Sequence, residues 1–152
     1  MTKLMHLAVF HELQRMRVNK NPELLEISPE KTVLLEKQGK ERQGRFDFLV
    51  QAKGRAIGIE VLTRPSKGKL KAKLPYASEV DEFIFVLPHD SMEFYRKRKM
   101  NGFKRAAPKK FLSSEFSSPK LQAWLLDYSN GKIAEKGAFS RLFEVKWEKQ
   151  NL

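Results

Sequence analysis

Apolar positions along the chain follow two periods. Residues 3–18 contain no Pro or Gly and set Met5, Ala8, Val9, Leu13 and Met16 on one face, a spacing that predicts an amphipathic helix. Glu12 falls inside that stripe, with Ala8 and Met16 one turn to either side. A carboxylate so placed either sits at the edge of the core or points into a polar site. Period-two alternation then takes over: residues 45–51 and 55–63, joined across Lys53 and Gly54, read as a β-hairpin. Before it, residues 24–27 and 32–37 read as two short strands around a Ser28-Pro29-Glu30 turn, and residues 38–44 as a polar turn.

Residues 65–74 form a short basic helix with Leu70 and Leu74 as a thin apolar stripe, and 83–87 is a continuous apolar run ended by Pro88, as in a buried strand. Residues 91–99 read as a helix with Ser91 as its N-cap. Residues 121–128 and 132–135 read as a hairpin around Ser129-Asn130-Gly131, since Asn-Gly is a strong turn signal. A last apolar segment carries Phe139, Leu142, Phe143, Val145 and Trp147. With no internal repeat and no low-complexity linker, the pattern predicts one α/β domain over residues 1–152.

Composition narrows the chemistry. The apolar fraction of 41% and the eleven Phe are enough for a core, so global disorder is excluded. No run approaches the roughly 18 apolar residues of a membrane span, and the N-terminus lacks a signal-peptide pattern, so an intracellular, cytoplasmic protein with no membrane partner is expected. With no cysteine, disulfides, thiolate metal sites and cysteine nucleophiles are ruled out. The remaining tools are carboxylates, histidines, hydroxyls and lysines.

The net charge of +12 is unevenly spread: residues 64–110 hold 13 basic and 5 acidic side chains, or +8 of the total. A basic footprint concentrated in this way points to a polyanion, nucleic acid before others. Within it, residues 96–110 carry eight basic side chains and no acid, and Gly102 and Pro108 mark the stretch as an exposed loop. Arg64, Lys67, Lys71, Arg96, Lys97, Arg98, Lys99, Lys104, Arg105, Lys109 and Lys110 are the expected phosphate-contacting residues.

The hairpin holds the sharpest feature. Alternation puts Phe46, Phe48 and Val50 on one face, with Asp47 and Leu49 on the other, and Gly58, Glu60 and Leu62 opposite Ile57, Ile59 and Val61. If Lys53-Gly54 is a two-residue turn, Ala52 faces Arg55 and Asp47 faces Glu60. Facing carboxylates repel, and a divalent cation reverses the sign of that interaction. Mg²⁺ is suited to one or two carboxylates completed by water and substrate phosphate oxygens.

Gly44-Arg45-Phe46-Asp47-Phe48-Leu49-Val50, a short turn, Ile57-Gly58-Ile59-Glu60-Val61-Leu62-Thr63, a basic helix and the strand at 83–87 together resemble the core of the PD-(D/E)XK nuclease superfamily, which includes restriction endonucleases and archaeal Holliday junction resolvases. The resemblance covers residues 3–88. It implies a restriction-endonuclease-like αβββαβ core with a central mixed sheet flanked by helices, followed here by the basic loop at about 96–110 and a β-rich C-terminal extension over 111–152. It further implies Asp47 and Glu60 as ligands of Mg²⁺ (or Mn²⁺), the Val61 carbonyl as a helper, and Glu12 as the carboxylate that the first helix presents. One departure stands out: Leu62 occupies the position of the motif's lysine. A lysine from the following helix can replace it, and Lys69 and Lys73, one turn apart, are the candidates.

Other signals are weaker. His6, His11 and His89 show no metal-ligand spacing and read as ordinary surface or core-edge residues, and no phosphate-binding Gly-rich loop or nucleophile elbow is present. The leading expectation is a Mg²⁺-dependent endonuclease hydrolysing phosphodiester bonds of DNA. The alternatives are a nuclease-fold protein that binds nucleic acid without cleaving it, and a basic scaffold or ribonucleoprotein component. Double-strand or junction cleavage requires two sites, which a homodimer would provide.

Overall fold

The computed structural model describes residues 2–19, 24–37, 40–52, 54–63, 65, 67–89, 114–127 and 129–142. Helix α1 spans Thr2–Asn19 and is followed by strands β1 (Leu24–Lys37), β2 (Lys40–Ala52) and β3 (Arg55–Val61). Helix α2 (Lys67–Lys73) runs straight into a 3₁₀ segment, Leu74–Glu79, whose Pro75 lacks the N–H that α-helical bonding would need. Strand β4 (Glu82–Pro88) comes next, and a 3₁₀ turn at Ser114–Phe116 leads to β5 (Leu121–Asp127) and β6 (Lys132–Ala138).

Among the described residues the strands form one six-stranded sheet in the order β1-β2-β3-β4-β5-β6. Strands β3, β4 and β5 are parallel, and the outer pairs are antiparallel. The β3 to β4 crossover is made by α2, as a parallel pair demands. The α/β class and the mixed sheet agree with expectation.

Three local readings need correction. Residues 24–37 are one strand, because β1 lies at the sheet edge, where Pro29 can pair with Phe48 without offering an N–H to a further neighbour. Residues 40–44 extend β2 instead of forming a turn. The C-terminal strands are not an appended extension: β5 pairs with β4 and completes the same sheet. The expected helix at 91–99 and the basic loop at 96–110 lie outside the described residues, as does Trp147.

Both faces of the sheet are covered. On one, Met5, Ala8, Val9 and Leu13 of α1 bury against Phe48, Val50, Ile59, Val61, Ile84, Val86, Trp124 and Leu126. On the other, Leu70 of α2 packs with Phe83, Phe85, Leu87, Phe116, Leu121, Leu125 and Phe139. Strand β4 contributes alternately to the two clusters, which is why its sequence reads as unbroken apolar residues.

Phe46 departs from the expected alternation. It joins the α2-side cluster with Leu49, whereas Phe48 and Val50 face α1, so β2 twists at Asp47. Gly58 makes the room: a Cβ built there would lie 2.5 Å from the Phe46 ring, which is fully buried and edge-on to Tyr76 and Phe83. Gly58→Ala is therefore expected to destabilise the fold by about 1–3 kcal/mol, because the ring has no empty space to enter. Denaturant unfolding followed by circular dichroism checks this; an unchanged midpoint would mean that Phe46 can move freely.

Candidate functional site

The hairpin register is the expected one: Ala52 pairs with Arg55, Gln51 with Ala56, Val50 with Ile57, Leu49 with Gly58 and Phe48 with Ile59. Gly54 adopts φ 75°, the left-handed conformation that the tight turn needs. The ladder ends one step before Asp47 and Glu60, where β2 leaves β3. Carboxylates close the gap: Asp47 N–H donates to Glu60 Oε1 at 3.2 Å, and Val61 N–H donates to Asp47 Oδ2 at 2.7 Å. Each acid thus satisfies a backbone donor of the opposite strand that the splayed ladder would otherwise strand.

The second oxygens diverge. Asp47 Oδ1 faces His6 Nε2 of α1 at 3.5 Å, and Glu60 Oε2 faces Lys73 Nζ of α2 at 3.5 Å. Because α1 and α2 cover opposite faces of the sheet, the pair lies in the plane between them rather than side by side on one face. The expected single-face geometry is corrected accordingly; its cause is the twist at Asp47. The pair sits at the carboxyl end of β3, beside β4, the end of a parallel sheet where open α/β folds bind ligands.

Glu60 is the only charged side chain in the buried core of the described residues, 3% exposed. Burial pushes its carboxyl up to about 7, and the Asp47 charge adds to the rise; Lys73 and the Asp47 N–H pull it the other way. Lys73 is held on its far side too, with its ammonium 4.7 Å from the centre of the Tyr76 ring. Tyr76 in turn packs edge-on against Phe46, so the hairpin and the α2 crossover brace the same lysine.

Of the α2 lysines, Lys73 is the one brought to the pair. Lys71 pairs with Glu115 at 3.4 Å, and Lys69 is exposed a full turn before Lys73. Leu62, in the motif's lysine position, packs against the α2-side core. Glu12 is not delivered to the site: it is bound by Arg15 and by Lys136 of β6, each at 2.5 Å, and these cations draw its carboxyl below the usual range against the opposing effect of burial. The rise of an α-helix puts Glu12 about 9 Å beyond His6 along α1, which carries it towards β6. Lys136 also lies over the Trp124 ring, so Glu12 fastens α1 to the far strand.

His6, read from sequence as an ordinary residue, is the missed neighbour of Asp47. No spacing rule could have marked it, since its proximity depends on how α1 is rotated on the sheet. Arg64 and the side chain of Lys67 lie outside the described residues, along with Arg96, Lys97, Arg98, Lys99, Lys104, Arg105, Lys109 and Lys110.

Among the described residues no three His, Asp or Glu side chains already converge as a metal cage. The donor chemistry nonetheless fits a divalent cation: two carboxylates, and a buried His6 Nε2 that has no hydrogen-bond partner beside one of them. No described helix is long and apolar enough to cross a membrane. Comparison of the chain with protein-family models, curated proteins and solved structures finds no match.

Proposed function

We propose that the protein is a metal-dependent endonuclease of restriction-endonuclease-like fold, cutting phosphodiester bonds of nucleic acid, DNA first. The observation that carries this reading is Lys73 at 3.5 Å from Glu60, within a reciprocally bonded Asp47–Glu60 pair. That places two acids and a lysine together even though Leu62 has replaced the motif's own lysine. The element order, a helix, three antiparallel strands, a crossover helix and a parallel strand, supports the same reading.

In this proposal Asp47 and Glu60 hold Mg²⁺ or Mn²⁺, with the Val61 carbonyl within the same strand end. The cation, when bound, supplies positive charge for the phosphate as it gains negative charge. Lys73 acts on the α2 side, where its ammonium orients the attacking water and offsets charge on the phosphate oxygens. Tyr76 limits the positions that ammonium can take. The excess positive charge of residues 64–110 holds the backbone on either side, largely without regard to sequence.

A second reading has an observation of its own. Lys73 already neutralises Glu60, and Leu62 is packed into the core, an arrangement equally suited to a nuclease-fold protein that binds nucleic acid without cutting it. Plasmid, linear and branched DNA incubated with the wild-type protein separates the two. Cleavage is expected with Mg²⁺ or Mn²⁺, none after EDTA, and a retention of DNA that falls steeply between 50 and 200 mM salt, by about 10³-fold if six or more phosphates are contacted. Salt-sensitive binding with no cleavage in either metal would overturn the enzymatic reading in favour of the second.

A further inference from the structure

His6 remains unexplained by packing. Its ring is one-third exposed and edge-on to Phe48 at 5.8 Å, yet Nε2 itself is buried and without a hydrogen-bond partner. An imidazole nitrogen left in that state costs stability unless something occupies the space in front of it. What faces it is Asp47 Oδ1, at 3.5 Å. Two donors that share a cation at about 2.1 Å stand about 3.0 Å apart in an octahedral site and about 3.4 Å apart in a tetrahedral one. The observed separation is long for a hydrogen bond and close to that of two ligands of one ion.

We infer that His6 is a ligand of the cation held by Asp47 and Glu60, and that its nitrogen makes the site select a first-row transition ion such as Mn²⁺ over Mg²⁺. The inference rests on the metal-site reading above and sharpens it. Mg²⁺ dehydrates reluctantly and is bound through oxygen, so an imidazole adds little to its affinity. Transition ions accept imidazole readily, so for them the same nitrogen adds a bond. The placement of His6 on α1 also gives the first helix a part in the site, the part expected of Glu12, which Lys136 holds elsewhere.

Mn²⁺ alone is a sufficient probe. Binding is read by the loss of the free-ion EPR signal, competition by added MgCl₂, and ligation by ¹⁴N modulation of the bound Mn²⁺ in electron spin-echo spectra. The wild-type protein is expected to bind Mn²⁺ with ¹⁴N modulation. His6→Gln, which keeps a polar side chain of similar reach, should lose the modulation and weaken Mn²⁺ binding by about 10- to 100-fold while leaving Mg²⁺ affinity within about threefold. His11→Gln, on the exposed side of α1, should behave as wild type. His6→Ala is the second variant, and circular dichroism verifies that both are folded.

Mn²⁺ bound without ¹⁴N modulation, and equally by wild type and His6→Gln, would overturn the role of His6 and leave the carboxylate site standing. Failure of the wild-type protein to bind either ion would overturn both.

Discussion

Glu60→Gln is expected to make the metal-free protein more stable at pH 8 and, in the same molecule, to lower metal-dependent cleavage by on the order of 10³-fold. The stability half follows from linkage. Glu60 is 3% exposed, and its carboxyl is raised from the ordinary 4.5 to about 7, first by burial and then by the Asp47 charge. A carboxyl raised on folding binds its proton more tightly in the folded chain. Its contribution is fully present below pH about 4.5, where both states are protonated, and is lost as pH rises through about 7. Above that, the fold carries a buried charge that the unfolded chain keeps in water, at a cost on the order of 2–3 kcal/mol. A glutamine carries no such charge, and its amide oxygen can still accept the Asp47 N–H that Glu60 Oε1 now takes.

The stability difference between the two proteins should therefore be large at pH 8 and small at pH 5, as measured by urea unfolding. The cleavage half follows from the loss of an anionic ligand. A variant that is more stable and inactive marks a group kept for chemistry at the expense of the fold. Equal stability of the two proteins at pH 8 would show that Lys73 compensates the buried charge in full, and retained cleavage would remove Glu60 from the site.

The parts of this arrangement that were readable in the sequence are those set by local rules. Period-two alternation and a glycine at the turn determine the β2–β3 pairing, so Asp47 and Glu60 could be placed opposite each other before any coordinates. The apolar stripe of α1 was readable for the same reason: Met5, Ala8, Val9 and Leu13 are buried as their spacing requires. What was not readable depends on contacts across long stretches of chain. The twist at Asp47 exists because Phe46 finds space over Gly58, twelve residues on and across the hairpin. Glu12 looked like the helix's contribution because it is an acid in an apolar stripe, but Lys136, 124 residues away, is what meets it. Pro29 reads as a break in any strand until the strand is known to lie at an edge. His6 has no sequence signal, since a single imidazole on a helix becomes notable only when a carboxylate is found in front of its buried nitrogen.

Lys73 is the point at which the local and the distant meet, and it yields the second large effect. Lys73→Met keeps the length of the side chain and removes its charge, and is expected to lower cleavage by about 10²–10⁴-fold, the range for loss of a group that handles the proton or the charge of the transition state. A purely structural lysine would give the same loss if its removal disturbed Glu60, so a second substitution is needed. Leu62 lies two residues beyond Glu60 on the same strand and belongs to the same face, its side chain half-buried against the α2-side core. Leu62→Lys puts an ammonium back where the E-x-K triplet would have it, with a stem long enough to leave the core and place its charge beside Glu60. Added to Lys73→Met, it should restore at least a tenth of the wild-type rate, or about 1.4 kcal/mol short of it. A structural role for Lys73 predicts no such recovery, because the Tyr76 contact and the α2 geometry are not rebuilt by a lysine on β3. Metal-dependent plasmid nicking by the double variant, against each single one, is the measurement. Recovery would show that the catalytic cation is defined by its position beside Glu60 and that this chain supplies it from the crossover helix. A double variant as inactive as Lys73→Met, folded and still able to bind Mn²⁺, would assign Lys73 to holding the fold together and leave the site without its third group.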